Sequence, residues 1–229
     1  MVDAEEARRV AEDSREKFWR GQSFMRDVFL GDFRIDLLER LTLDEPDRPE
    51  FWEFYDRLAT FLRDKVDSAE IDATGEYPPE VVAGLAELGA FGLKIPKEYG
   101  GLGLTHPEYV RVMQLLGGSD GNVAALLSAH QAIGVPQPIK LFGTPEQKKR
   151  FLPRCAKGAI SAFALTELTA GSDPARLGTT AALCEDGEHY ILNGHKLWCT
   201  NVTLADLIVV MARNPATKRI NCLVVEMDW

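Results

Sequence analysis

The sequence predicts an α+β chain: an all-α helical N-terminal domain, then a middle β domain built as an antiparallel barrel or sandwich. Apolar residues recur at helical spacing as far as residue 158. Beyond Gly158 the pattern changes to short β runs punctuated by Asp186-Gly187 and Asn193-Gly194 turns. At 229 residues and 45% hydrophobic, the chain is long enough to bury a core. Helices followed by strands in series divide it into an extension over 1–50, a helical domain over 51–158 and a β domain over 159–229.

Residues 1–50 are highly charged yet carry Phe18, Trp19, Phe24, Phe29 and Phe33, too many aromatics for disorder. They read as an irregular or helical arm that packs on a larger surface, followed by a turn or linker at Asp44-Glu45-Pro46-Asp47-Arg48-Pro49. From Phe51, the residues Phe54, Leu58, Phe61, Leu62 and Val66 mark one buried helix face. A second helix begins near Pro79 and runs through Val82, Leu85 and Leu88 towards Gly89. The loop over 91–104 carries Gly92, Gly100, Gly101 and Gly103 around Pro96, which suits either close approach to a ligand or a structural turn between helices.

Thr105 and Glu108 form a capping box before a helix through Tyr109, Val112, Met113 and Leu116. Ser119 or Asp120 caps the next helix, over 122–133. Its Ala124, Ala125, Ser128, Ala129 and Ala132 permit close packing of another helix or a ligand chain. Thr144-Pro145-Glu146-Gln147 opens a helix to about Lys157. Strands are expected over 160–165, 179–184, 189–192, 195–200, 207–212 and 220–225, with consecutive antiparallel pairing after 179.

A net charge of −9 supplies no field to attract nucleic acid, and the basic cluster Lys148-Lys149-Arg150 reads as a solvated helix face. Cysteines 155, 184, 199 and 222 contain no C-x-x-C pair, and no histidine spacing completes a metal site, so they read as reduced structural thiols. The acidic start, Met1-Val2-Asp3-Ala4-Glu5-Glu6, argues against a secretory or transit segment. No apolar run approaches the roughly 18 residues of a membrane helix, and a cytoplasmic protein is expected. The H-E-x-x-H, G-x-S-x-G and Walker patterns are absent, and Gly100-Gly101-Leu102-Gly103 lacks the spacing of a dinucleotide fingerprint. His106, His130, His189 and His195 are scattered and read as surface or capping residues. Glu167 and Asp173 fall on one expected loop without a reason to pair.

The segment over 163–173 reads as a strand delivering a binding loop that ends in Gly171, Ser172 and Asp173. Downstream, Trp198 and Thr200 place an indole beside a hydroxyl. Hydroxyls and amides at strand ends bind anionic or carbonyl-rich rings, and indole offers a face and one donor. Composition alone reads the same pair as a core residue and a surface residue.

Four segments, in order and spacing, resemble the acyl-CoA dehydrogenase family over roughly 50 to 229. They are residues 95–103, Leu141-Phe142-Gly143-Thr144 before Gln147-Lys148, residues 164–173, and Leu192-Asn193-Gly194-His195-Lys196-Leu197-Trp198-Cys199-Thr200-Asn201. Residues 128–134 with the N-terminal arm are most similar to the large, long-chain branch. The resemblance implies a helical domain, a middle β domain and a C-terminal helix bundle that this sequence lacks, with FAD between the latter two. It implies a cofactor set of Phe163, Leu165, Thr166, Gly171, Ser172, Trp198, Cys199 and Thr200. Leu165 and Thr166 would meet the pyrimidine edge, Trp198 and Thr200 would flank the ring, and Ser172 would serve cofactor or CoA phosphate. Leu168 stands where the family usually has Pro, and Cys199 where Ile is common.

The implied reaction abstracts an α-proton from an acyl-CoA and passes a β-hydride to flavin N5, with electron-transfer flavoprotein as acceptor and a dimer or tetramer as assembly. Its carboxylate base would fall beyond Trp229, so this chain is expected to hold no catalytic base and to be inactive alone, as a fragment or as one chain of an assembly. A non-catalytic binding subunit and an acyl-CoA oxidase are the alternatives.

Overall fold

The computed structural model describes residues 24–29, 31, 33–35 and 48–227. Two compact units divide the chain, Met1–Asp47 and Arg48–Trp229. In the first, α1 (Phe24–Phe29) is a short helix, and the Phe24 and Phe33 rings meet edge to face at 5.7 Å. Phe18, Trp19, the Phe29 side chain and the linker over 44–47 lie outside the described residues.

The second unit begins with α2 (Pro49–Lys65), which buries Phe51, Phe54, Leu58 and Leu62. Next come α3 (Ser68–Thr74), α4 (Pro79–Glu87), α5 (His106–Ser119) and α6 (Gly121–Ala132). The helical run closes with α7 (Pro136–Phe142) and α8 (Pro145–Ala156). The start signals do their expected work at three helices. Glu108 accepts from Thr105 N at 2.7 Å in the α5 capping box, and the Thr144–Gln147 box opens α8. Asp120 caps α6 by accepting from Val123 N at 2.6 Å. Neither α3 nor α7, each seven residues long, was expected from residue spacing. Two turns are too short to show a periodic face.

The glycine-rich stretch folds as two 3₁₀ turns, Ala90–Gly92 and Lys97–Tyr99. Its glycines answer a packing demand, because a Cβ on Gly101 would lie 2.1 Å from the Ile95 carbonyl oxygen.

His130 departs from its reading as a surface or capping residue. It is fully buried. Its Nδ1 accepts from Ser161 N at 3.1 Å, which leaves the proton on Nε2, and Nε2 donates to Phe91 O at 3.1 Å. One imidazole therefore ties α6 to the 3₁₀ turns and to the first strand.

The strands are β1 (Ser161–Ala164), β2 (Thr180–Leu183), β3 (Tyr190–Asn193), β4 (Leu207–Arg213) and β5 (Ile220–Glu226). Helices precede the sheet as expected, and β2–β3 and β4–β5 pair antiparallel, but the sheet also holds parallel pairs and is open, where a closed antiparallel barrel or sandwich was expected. β5 runs antiparallel along one side of β4. β1 and β2 pair successively on its other side, both parallel to it, Ser161 opposite Leu207 and Thr180 opposite Arg213. Residues 165–179 leave the sheet between them. Alternation in sequence reports which face a side chain takes and is silent on strand direction, which is why this pairing was missed.

β4 separates two apolar layers. Leu207 and Val209 join Ile95, Val135, Ile139 and Leu152 beneath the helices, and Ile208 packs with Ala162 and Ala164 on the opposite face. Among the described residues no helix is long and apolar enough to cross a membrane, and no His, Cys, Asp or Glu group is placed to hold a metal.

Burial lowers the His130 pKa to about 4 from 6.5, against the hydrogen bond to Phe91 O, which raises it. A lowered folded value means that His130 contributes stability in full above pH 6.5 and loses it as pH falls through 4. Unfolding free energy should therefore fall below pH 6.5 with a slope approaching about 1.4 kcal/mol per pH unit. Urea titrations at pH 7 and pH 5 should show that difference, and His130→Gln should flatten it.

Candidate functional site

Two segments that belong to no strand meet at the end of β1. The first, residues 165–171, turns back on itself through one isolated bridge between Glu167 and Ala170. The second, residues 194–201, was expected as a strand over 195–200 and is a loop. It cannot continue β3 because Trp198 and Asn201 hold left-handed φ values of 57° and 73°. Asn201 stabilises that course by donating from Nδ2 to Leu126 O at 2.9 Å and to Ser161 O at 3.3 Å, anchoring the loop to α6 and β1.

The segments are fastened to each other by a small polar cluster. Leu197 N donates to Thr166 O at 2.9 Å. Lys196 Nζ donates to Leu165 O at 3.0 Å and to Glu167 Oε1 at 2.7 Å. The Glu167 carboxylate also accepts from Gly178 N at 2.6 Å and Thr179 N at 3.0 Å, which binds the start of β2. Both charged side chains are nearly sealed from solvent, at 11% and 7% exposure. Burial alone would raise the Glu167 pKa; the Lys196 ammonium and the two backbone donors outweigh it and hold the carboxyl at about 2. Gly194 leaves the room this closure needs, since a Cβ there would fall 2.2 Å from Thr179 Oγ1.

Beside this cluster lies an open groove of about 500 Å³ lined by Ala164, Lys196, Leu197, Trp198, Cys199, Val202, Ile208 and Val210. Its floor is the outer face of β1 and β4. Trp198 is 88% exposed, which overturns the compositional reading of it as a core residue. Cys199 is half-buried, and burial raises its thiol pKa, with Lys196 lowering it in part. Thr166 is half-buried at the β1 end and Thr200 is exposed. Gly171 and Ser172 lie on the exposed part of the 165–173 loop, and a Cβ on Gly171 would come within 4.0 Å of the Thr166 methyl group. The hydroxyls of Thr166, Ser172 and Thr200 make no hydrogen bond to another described residue.

The structure thus brings Leu165, Thr166, Trp198 and Cys199 together and leaves Ser172 further along the exposed loop. Phe163 is placed differently, its side chain packing with Ile95, Val135 and Leu152 beneath the helices, away from the groove. Sequence reasoning assigned no role to Lys196 or Asn201, although both stand in the family-like segment 192–201, and found no partner for Glu167. Asp173 instead caps the 3₁₀ turn Pro174–Arg176 by accepting from Ala175 N.

Comparison with known proteins follows the same segments. The family model described as acyl-CoA dehydrogenase, N-terminal domain, matches residues 48–159, and that of the middle domain matches 162–229. A probable acyl-CoA dehydrogenase of Mycobacterium tuberculosis, FadE10, is 50% identical over 100% of this chain and 36% of its own length. The human mitochondrial very long-chain specific acyl-CoA dehydrogenase is 39% identical, covering 86% of this chain and 30% of the relative. The chain thus spans about a third of the curated relatives it matches. A crystal structure of acyl-CoA dehydrogenase complexed with FAD from Bacillus anthracis superposes with a TM-score of 0.70 at 34% identity, over 81% of this chain and 32% of that one.

A side chain as exposed as Trp198 contributes little to folding. Trp198→Ala should leave the urea unfolding free energy within about 0.5 kcal/mol of the parent, and a larger loss would mean that the indole supports the fold.

Proposed function

We propose, because this chain belongs to the acyl-CoA dehydrogenase family, that it supplies the N-terminal and middle domains of an FAD-dependent enzyme that introduces an α,β double bond into an acyl-CoA thioester. The observation that carries this reading is the outward indole of Trp198, lining a groove on a loop that Leu197 N fastens to Thr166 O, within the segment matched as the middle domain.

The donor set fits a flavin. A flat ring with one polar edge needs an apolar surface to lie against and donors at its rim. The groove offers the indole, the Cys199 side chain, Ile208 and Val210; Thr200 follows the lining residue Cys199 in the chain, and Thr166 is tied through its carbonyl to the lining residue Leu197. When bound, FAD supplies the acceptor for the β-hydride. Thr166 and the Leu165–Thr166 backbone then donate towards the ring edge where negative charge develops, an interaction that favours the reduced state. Trp198 shields one side of the ring from water, and Ser172, on its exposed turn, takes the cofactor or CoA phosphates.

No carboxylate lines the groove among the described residues. Glu167 cannot serve as the α-proton base, because a carboxyl held at about 2 and committed to Lys196 and two amides is too weak a base for the task. By the family resemblance, we place the base in sequence outside these two domains. Electron-transfer flavoprotein as acceptor and a homodimer or homotetramer as assembly complete the reading.

The full-length protein should purify yellow and reduce a redox dye when given acyl-CoA thioesters. Reduction at background with flavin bound would overturn the dehydrogenase reading, and stoichiometric peroxide in place of dye reduction would make it an oxidase.

The face of α6 bearing Ala125, which is exposed, and Ala129, which is half-buried, is proposed as a wall of the acyl pocket. Ala125→Phe should then shift the kcat/KM profile towards shorter acyl chains, and an unchanged profile would remove α6 from the pocket.

A further inference from the structure

Above its β1–β4 floor, the groove is bordered by a loop, residues 194–201, that no β ladder aligns with residues 165–171. β1 ends at Ala164, and residues 194–201 contribute no strand, so the spacing between Thr166 and Trp198 is not set by repeated backbone pairing. One backbone hydrogen bond, Leu197 N to Thr166 O, joins them directly. Among the described residues, the other hydrogen bonds between them pass through Lys196, whose ammonium grips Leu165 O and the Glu167 carboxylate.

Glu167 is in turn immobilised. It accepts from Gly178 N and Thr179 N, at the point where the chain re-enters the sheet as β2. A carboxylate at 7% exposure is nearly shut off from water, so it is fixed by its three partners or it is costly. Its neighbours reinforce the fit: Gly178 lies within 3.4 Å of Oε2 when given a Cβ, and Gly194 has no room for one against Thr179.

We propose that the Glu167–Lys196 pair is a positioning clamp for the cofactor site, fixing the Thr166 edge and the Trp198–Thr200 turn at the separation that a flavin ring requires. This rests on the FAD reading above. Neither residue is a catalytic residue; both act through Thr166 and Trp198. The Lys196 charge is spent on Glu167, so its role is to hold geometry and its proximity to the groove follows from that.

The test uses the full-length protein and three variants, Glu167→Gln, Lys196→Met and the double variant. The double variant carries no unpaired buried charge and guards against simple failure to fold. In flavin-free protein, hydrogen exchange over 165–171 and 194–200 should accelerate selectively, with the helices unchanged. In the flavin-loaded protein, each variant should weaken FAD binding roughly tenfold or more, the usual effect of losing a partner that orients a ligating group. The flavin absorption bands and reduction potential should shift with it. The double variant should be no worse than either single one, because both residues act as one device.

Unchanged exchange in those two segments would overturn the clamp. Accelerated exchange with parental FAD affinity, spectrum and potential would reduce the pair to a structural role and overturn the positioning claim. A parent protein that takes up no FAD would overturn the reading on which the proposal rests, and the exchange result would still separate that failure from failure of the clamp itself.

Discussion

The neutral His130 imidazole fixes how the helices and the sheet of the second unit meet. Its two ring nitrogens serve two different elements, Nε2 reaching the 3₁₀ turn at Phe91 and Nδ1 the first residue of β1. The neighbouring Gln131 adds hydrogen bonds to Ala90 O and Phe91 O and accepts from Lys94 N. Ser161 in turn accepts from Val135 N through its hydroxyl, which brings the start of α7 into the same junction. A buried polar group satisfied at every atom tolerates one arrangement and penalises others, so the direction of β1, and with it the loop it delivers, is set here.

From that anchored strand the candidate site follows by topology. β1 and β2 occupy one side of β4 in succession, and residues 165–179 between them are free to leave the sheet because β4 has no need of them. The excursion is what places hydroxyls and glycines at the rim of an apolar surface. The same strand, β4, gives that surface its floor through Ile208 and Val210 while Leu207 and Val209 hold the helices on its other face. Packing and binding surface are two sides of one four-residue stretch.

The groove therefore depends on rigid elements for its floor and on polar contacts for its rim. Asn201 shows how the second part works. Its left-handed backbone is tolerable for an asparagine, and its side-chain amide replaces the ladder hydrogen bonds that the segment forgoes. Trp198, left-handed as well and without such a bond, is held by its neighbours and stands in solvent.

Much of this was legible in the residues. Helical spacing at Phe51, Phe54, Leu58 and Leu62, the capping pairs at Thr105 and Thr144, and Asp120 before α6 fixed the main helices, because these signals are local and act within one turn. The Asp186-Gly187 turn and the runs over 207–212 and 220–225 marked strands for the same reason, whereas the Asn193-Gly194 turn led to no further strand. Three things required tertiary structure: the parallel pairing of β1 and β2 with β4, the burial of His130, and the joining of Glu167 to Lys196 across 29 residues. Each is a relation between residues distant in sequence, decided by which groups must share hydrogen bonds once water is excluded, and a pattern read along one strand of sequence contains no term for that.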